Sequence, residues 1–486
     1  MERLNVLLIT ADDMHGRSPS CMGGYGGVTP HIDALAASGM LFRRAHVPIA
    51  VCQPSRSAML TGLWPHRNGA EGFEPIDPGI PVLTDVLRPA GYLCGILGKV
   101  MHLTPVERFG WDHRVDRPQL GSGRDPRRYR AEAERFIARA EHEGRPWFLM
   151  ANAHDPHRPF HGAPDEEEMI GTETLRSVPA PSRVYAPEEV TVPGFLPDLP
   201  DVRTELAQYW SSARRCDDVV GALLALVEER GESGRTLVIF LSDNGMAFPF
   251  AKANCYLQST LTPLIVRWPG LSAPGSADGA HFVSGLDLLP TICDAAGVAP
   301  PPGIDGRSLA PLLRAEHESG RDFVVTCFHE TSAKQRFEMR AIQTAEWGYV
   351  WNRWSDGTRH YKAENMAGLT WPAMCAAAGA DAALGARTAF YLTRAADELY
   401  ALDADPDALV NLAGRPEHAD ALAAAQDRLA AELTRSADPL APLFAQHLAT
   451  TRATTLVPTP AAPRPVAPAG APEATRGDGD MTTGAS

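Results

Sequence analysis

The chain has 486 residues, 44% hydrophobic and 21% charged, which describes a folded protein longer than one ordinary domain and excludes a disordered one. Its formal net charge of −14 excludes a broad basic groove for nucleic acid or long polyanions, although a metal and a few cations can still hold one small anion. Eight widely spaced cysteines without a CxxC pair (Cys21, Cys52, Cys94, Cys216, Cys255, Cys293, Cys327, Cys375) read as reduced thiols. The N-terminal apolar segment is too short for the core of a signal peptide. No run of about twenty apolar residues follows, so the expectation is a cytoplasmic protein without a membrane span.

In chain order, Asn5-Val6-Leu7-Leu8-Ile9-Thr10 is a continuous apolar run, the pattern of a parallel strand covered on both faces. It ends at Asp12-Asp13. Adjacent carboxylates repel, so the pair makes sense beside a cation, at the sheet edge where open α/β folds hold ligands. Taken alone, a turn cap plus a solvent-facing Asp would be the simpler account. Thr29 and Pro30 open a helix as N-cap and first residue, and Gly39 ends it. Phe42 to Val47 reads as a strand leading to Cys52-Gln53-Pro54-Ser55-Arg56. Ser55 to Thr61 is then a helix whose anion-attracting N-terminus lies beside Cys52 and Arg56.

Leu83 to Ala90 reads as a helix and Tyr92 to Leu97 as a strand whose end carries Lys99 and His102, a pair able to neutralise an anion and move protons. Arg127 to His142 is an exposed charged helix. Pro146 to Ala151 is another buried strand, ending in Asn152-Ala153-His154-Asp155-Pro156-His157. Gly162 to Pro200 is Pro-rich and irregular, a long loop of the kind that shapes pockets. Val202 to Arg230 is a long amphipathic helix, and Thr236 to Leu241 a strand ending in Ser242-Asp243-Asn244-Gly245, with Lys252 shortly after. Pro263 to Gly270 reads as a strand and turn, Asp287 to Ala296 as a helix. From about Asp322, short aromatic segments separated by turn residues predict a small antiparallel sheet. Ala419 to Arg435 is a helix, and beyond about Thr451 an Ala/Pro/Thr-rich tail reads as disordered. The expected division is a catalytic domain (1–320), a smaller C-terminal subdomain (321–450) and a tail (451–486).

Cys52-Gln53-Pro54-Ser55-Arg56 followed by Leu60-Thr61-Gly62 resembles the C-x-P-S-R and L-T-G signature of the type I sulfatases, a match across eleven positions. Gly98-Lys99 with His102 is similar to the family's G-K-x-H element with one extra residue. Pro156-His157-Arg158-Pro159 resembles H-x-P-H-x-P, Ser242 to Gly245 the S-D-[NH]-G element, and Glu398-Leu399-Tyr400 through Pro406 the closing stretch. The resemblance runs from about residue 4 to 415. It implies an alkaline-phosphatase-like α/β fold: a mixed, mostly parallel sheet sandwiched by helices, with a smaller C-terminal α+β subdomain built on an antiparallel sheet. It further implies that a formylglycine-generating enzyme oxidises Cys52 to formylglycine, whose hydrate is the nucleophile.

By the same resemblance, Asp12, Asp13, Asp243, Asn244 and an oxygen of the modified Cys52 would ligate a divalent ion. An all-oxygen shell suits Ca²⁺, then Mg²⁺, rather than zinc. Arg56, Lys99, His102, His157 and Lys252 would complete the catalytic set, with His154 orienting its loop. The His154 to Arg158 and Ser242 to Pro249 stretches look most like the heparan N-sulfatase (sulfamidase) branch; the Asp13 to Asp33 region and the Lys99/His102 spacing look like the iduronate-sulfate branch. The implied substrate is the end of a small sulfated saccharide, N-sulfoglucosamine first, with the oligomeric state open. Phosphonate monoester or phosphodiester hydrolysis, aryl sulfate hydrolysis, and a non-catalytic protein that keeps Cys52 as a thiol are the alternatives.

Overall fold

Every residue of the first strand, β1 (Asn5–Ala11), is buried, and its side chains divide by parity between two hydrophobic cores. Leu7, Ile9 and Ala11 face one core, and Val6 and Leu8 the other. This is why the segment reads as an unbroken apolar run rather than an alternating one. The computed structural model describes residues 3–24 and 28–455.

The further strands are β2 (Met40–Phe42), β3 (Ala45–His46), β4 (Leu93–Leu97), β5 (His113–Val115), β6 (Trp147–Asn152), β7 (Thr236–Ser242), β8 (Leu264–Arg267), β9 (Ser276–Asp278) and β10 (Val283–Ser284). Eight of them form one sheet in the order β5-β4-β6-β1-β7-β8-β2-β9. Only β8 runs antiparallel to its neighbours. β3 and β10 pair separately. Helices cover both faces. Pro126–His142 and the thirty-residue Pro200–Glu229 pack on the Leu7/Ile9 side, while Leu83–Leu87 and Leu288–Ala296 pack on the other. Burying each such Leu or Ile side chain is worth about 1.5–3 kcal/mol, so two full faces supply the driving force that holds the polar sheet edge in place.

β11 (Phe323–Glu330), β12 (Arg336–Thr344), β13 (Trp347–Asn352) and β14 (Asp397–Ala401) form the expected antiparallel sheet, in sequence order. Its Phe337, Met339 and Tyr400 belong to the same core as Leu7. Contacts group residues up to Ala441 as one compact unit, with Pro442 beginning a second.

Several local expectations are corrected. The helix that carries Cys52 starts at that residue, three positions earlier than the sequence indicates (Cys52–Thr61), because Pro54 is tolerated within the first turn, where no intrahelical N–H bond is lost. Phe42 to Val47 is two short strands rather than one. Thr29 makes no side-chain cap; Asp217 of the long helix accepts the His31 and Ile32 N–H groups at 3.1 and 2.8 Å instead, a tertiary cap that no local pattern could reveal. The 162–200 stretch contains short helices at Glu166–Ile170 and Thr172–Ser177. Residues 451–455 continue a helix, Ala441–Thr455; the rest of the anticipated tail lies outside the described residues. All eight cysteines are free thiols. Among the described residues no helix is long and apolar enough to cross a membrane.

Candidate active site

Parallel register brings four strand ends together. Ala11 of β1 pairs with Ser242 of β7, Thr10 with Asn152 of β6, and Leu97 of β4 with Ala151. The residues that follow, Asp12-Asp13, Asp243-Asn244, His154 and Lys99, therefore emerge along one edge. The helix Cys52–Thr61, buried along its entire length, presents its N-terminus to the same place.

The Cys52 thiol lies 3.3 Å from Asp12 Oδ1, 3.9 Å from Asp13 Oδ1 and 3.3 Å from Lys252 Nζ. Asp13 Oδ1 also accepts from Lys252 Nζ and Asn244 Nδ2, both at 2.7 Å, and the Asp13 N–H donates to Asp243 Oδ1 at 3.1 Å. Arg56 donates through Nη1 to Thr10 Oγ1 (2.7 Å) and Asn152 Oδ1 (2.5 Å), and its Nη2 pairs with Asp243 Oδ2 at 2.7 Å. Lys99 pairs with Asp12 Oδ2. One ligand atom each from Asp12, Asp13, Cys52 and His157 lies within 4.8 Å of the others. Asp13 and Lys99 both hold left-handed backbone, at φ 69° and 55°, conformations that non-glycine residues rarely adopt and that collect at functional sites.

Three carboxylates (Asp12, Asp13, Asp243) thus balance three cations (Arg56, Lys99, Lys252) in a nearly water-free pocket. Burial alone would raise the Asp12 carboxyl, but Lys99, His157, Arg56 and His154 together hold it well below the usual range. Asp243 has fewer cations close by, and burial pushes it up to about 7. Burial and the surrounding carboxylates push the Cys52 thiol well above its ordinary value, so an unmodified thiol here is a poor nucleophile at neutral pH. Lys252 resists desolvation because Asp13 and the Cys52 sulfur hold its proton.

The edge gathers Cys52, Arg56, Lys99, Asp12, Asp13, Asp243, Asn244 and Lys252 as one cluster, with His157 Nε2 4.0 Å from Asp13 Oδ2. His102 stands one step out: its Nδ1 has no hydrogen-bond partner and its ring meets Phe73 edge-on at 6.2 Å. Sequence reasoning missed three contributors. His154 is more than a loop-orienting residue, since its Nδ1 is 3.4 Å from Asp12 Oδ2 and its ring lies 4.8 Å from that of His157. Asn152 and Thr10 hold Arg56; a polar residue ending each apolar strand was the available signal. The segment between β13 and β14 braces Lys252: Asn365 donates to the Lys252 carbonyl (2.5 Å), Tyr361 to that of Ala253 (2.6 Å), and Arg394 to Asn254 Oδ1 (2.6 Å).

Comparison with known proteins accords with this geometry. The sulfatase family model matches residues 4–298. This chain belongs to the sulfatase family. A model described as N-sulphoglucosamine sulphohydrolase, C-terminal, matches residues 247–356 of the same family member. Human N-sulphoglucosamine sulphohydrolase is 32% identical over 90% of this chain and 91% of its own length; bovine arylsulfatase A is 29% identical over 65% and 69%. A solved structure in complex with its substrate D-glucosamine-2-N,6-O-disulfate aligns with a TM-score of 0.68 at 20% identity, covering 90% of this chain and 99% of that one. The phosphonate monoester hydrolase of Agrobacterium radiobacter aligns at 0.66 and 20% identity, covering 89% and 96%. Likeness at that identity concerns the fold, which is the alkaline-phosphatase-like architecture expected. As a sulfatase the chain is a hydrolase, and the family implies a bound metal and a formylglycine made from a cysteine.

Gly245 offers a local check on the site's placement. A Cβ there would stand 2.1 Å from the Gln258 carbonyl oxygen, a clash that only a backbone shift can relieve. Gly245→Ala is expected to push Asp243 and Asn244 out of register and to lower sulfate ester hydrolysis by roughly 100-fold in a folded protein, the cost of a displacement near 1 Å. Wild-type kcat in a variant with a native circular dichroism spectrum would count against this placement.

Proposed function

We propose that the chain hydrolyses a sulfate ester or sulfamate at the end of a sulfated sugar, N-sulfoglucosamine being the first choice, through formylglycine at Cys52 and a bound Ca²⁺. One observation carries the reading: the Cys52 side chain is set among Asp12, Asp13 and Lys252, at the N-terminus of a buried helix that also bears Arg56. The oxygens suit a hard cation. Asn244 Oδ1 and Asp13 Oδ2 are buried and accept no hydrogen bond, while the outer oxygens of Asp12 and Asp243 face Lys99, His154 and Arg56. Asp12, Asp13, Asp243 and Asn244 would hold the ion, Mg²⁺ being second choice to Ca²⁺ on ligand chemistry.

The ion, once bound, supplies Lewis-acid stabilisation of the sulfate oxygens. The aldehyde made from Cys52 supplies a hydrate with two hydroxyls, one to attack sulfur and one to release sulfate, which neither Ser nor Cys can offer. Arg56, Lys99 and Lys252 offset negative charge on the sulfate oxygens. Lys252 and His157 flank the Cys52 position and are the groups in reach of a leaving alcohol or amine, while His102 is the base assigned to the release step. Maturation would require a formylglycine-generating enzyme. In this reading residues 1–320 carry the chemistry, and the sheet within 321–450 supports the Lys252 loop.

A side-by-side assay of purified protein on N-sulfoglucosamine, an aryl sulfate and a phosphonate monoester tests the substrate; turnover of the phosphonate alone would select the alternative. Chelation with EGTA is expected to abolish turnover and to lower the melting temperature, since the ion binds the folded state, with Ca²⁺ restoring both. Asn244→Leu should weaken the Ca²⁺ response at least about tenfold. Turnover and melting that are indifferent to EGTA would remove the ion from the account.

A further inference from the structure

The ligand-bearing edge carries a second cluster of cations that the catalytic site does not use. β8 is antiparallel to both β7 and β2, and β7 is parallel to β1, so β2 ends on the same edge as Asp12. Three strand spacings separate β2 from β1, about 14 Å at the usual interstrand distance. Arg43 and Arg44 follow β2 directly, and Arg17 leaves the loop that begins at Asp13. All three line a cavity of about 260 Å³ together with His46, Phe282 and Gln343.

These arginines lack the carboxylate partners of the arginines that clamp the core; Arg43 is exposed, and Arg17 and Arg44 are half-buried. Among the described residues, none of them has a carboxylate within 4.0 Å. Arg43 reaches only the Cys21 carbonyl at 3.4 Å and Arg44 only that of Ala280 at 3.5 Å, both weak, while the Arg44 guanidinium lies 5.1 Å over the Phe282 ring. Asp407 senses the Arg17 charge without forming an ion pair. By contrast, Arg56, Arg124, Arg215 and Arg340 each meet a carboxylate at 3.1 Å or closer. In a chain of net charge −14, three guanidiniums without an ion pair around one cavity concentrate positive potential, offset at Arg17 by Asp407 at longer range. Gln343 is 2% exposed and donates to Thr260 and Cys255 at 3.3 and 3.4 Å, which leaves its buried Oε1 without a partner.

We infer that the Arg17/Arg43/Arg44 cavity is a second oxyanion site, distinct from the Cys52 centre, that takes a sulfate or carboxylate group through charge-assisted guanidinium hydrogen bonds. The oxyanion has two sources, free inorganic sulfate or a sulfated saccharide, and both present the same chemistry to the arginines. The inference does not depend on the chain's hydrolytic activity, since binding alone is read.

The test uses full-length protein. Crystals soaked in selenate are expected to show an anomalous peak at the three guanidiniums, separate from any peak at Cys52. Calorimetric titration with inorganic sulfate, and separately with an N-sulfated disaccharide, should reveal a binding event that Arg43→Gln/Arg44→Gln weakens at least about tenfold, with turnover of a monosaccharide substrate unchanged. Weakening for both ligands assigns the site to the free oxyanion; weakening for the disaccharide alone assigns it to a substrate-borne sulfate. No selenate peak at the arginines, together with titrations that the double substitution leaves unchanged, overturns the inference.

Discussion

Cys52→Ala is expected to lose about 10⁴-fold or more of wild-type turnover while remaining folded, because it deletes the group proposed to form the bond with sulfur. The side chain is 2% exposed and small, so removing its sulfur leaves a minor cavity costing about 1 kcal/mol. Cys52→Ser separates the nucleophile from the release step. A serine hydroxyl at the same place could attack once, but its sulfate ester has no second hydroxyl with which to eliminate sulfate. It should therefore give at most one equivalent of product and a protein that stays sulfated, visible by intact mass. The wild-type mass should itself be lower than the sequence value by about 18 Da, the difference between a CH₂SH side chain and an aldehyde. Turnover by Cys52→Ala within tenfold of wild type would place the nucleophile elsewhere, and multiple turnovers by Cys52→Ser would remove the need for an aldehyde.

The site was legible in the sequence to the extent that strands announce where they end. Asp12, Lys99, His157 and Asp243 each follow an unbroken apolar run, and parallel pairing of those runs forces their ends to one edge. The motif at Cys52 supplied the chemistry, and the aromatic segments after Asp322 supplied the second sheet. What escaped notice depends on contacts between distant residues. Asp217 caps a helix 185 positions away in the chain. Glu398, within the closing motif, accepts from Tyr256 (2.7 Å), Tyr400 (2.6 Å) and Asn352 (2.7 Å), tying the last strand to the Lys252 loop. The sequence reads His154 as a residue that orients its loop; only the folded chain puts it 3.4 Å from Asp12. No local period encodes such contacts, because each is fixed by tertiary packing that brings two unrelated segments together.

Asp155→Ala is expected to cost about 3–5 kcal/mol of stability and to impair turnover as well, through one buried network. The Asp155 carboxylate receives Arg215 Nε at 2.6 Å and Nη2 at 3.2 Å, and Arg124 Nε at 3.1 Å, with all three side chains no more than 2% exposed. Truncating the shared acid leaves the buried Arg124 guanidinium without an ion pair and Arg215 with the longer Glu166 contact at 3.6 Å, whereas truncating one arginine leaves the acid still paired. Arg215→Met should therefore cost markedly less than Asp155→Ala, about 1–3 kcal/mol, an asymmetry that a simple count of contacts would not give. The link to chemistry runs through Arg124, whose Nη2 donates to the carbonyls of His157 (3.0 Å) and Pro159 (3.1 Å) and so fixes the loop on which His154 and His157 stand. With Asp155 gone, nothing else charged holds Arg124 at 3.1 Å or closer, and the loop loses its clamp. Urea unfolding gives the stability term from the midpoint at constant slope, and kcat in the folded baseline gives the other. Equal destabilisation by Asp155→Ala and Arg215→Met would show that the acid is not the shared anchor, and a fully active Asp155→Ala would disconnect the network from His157.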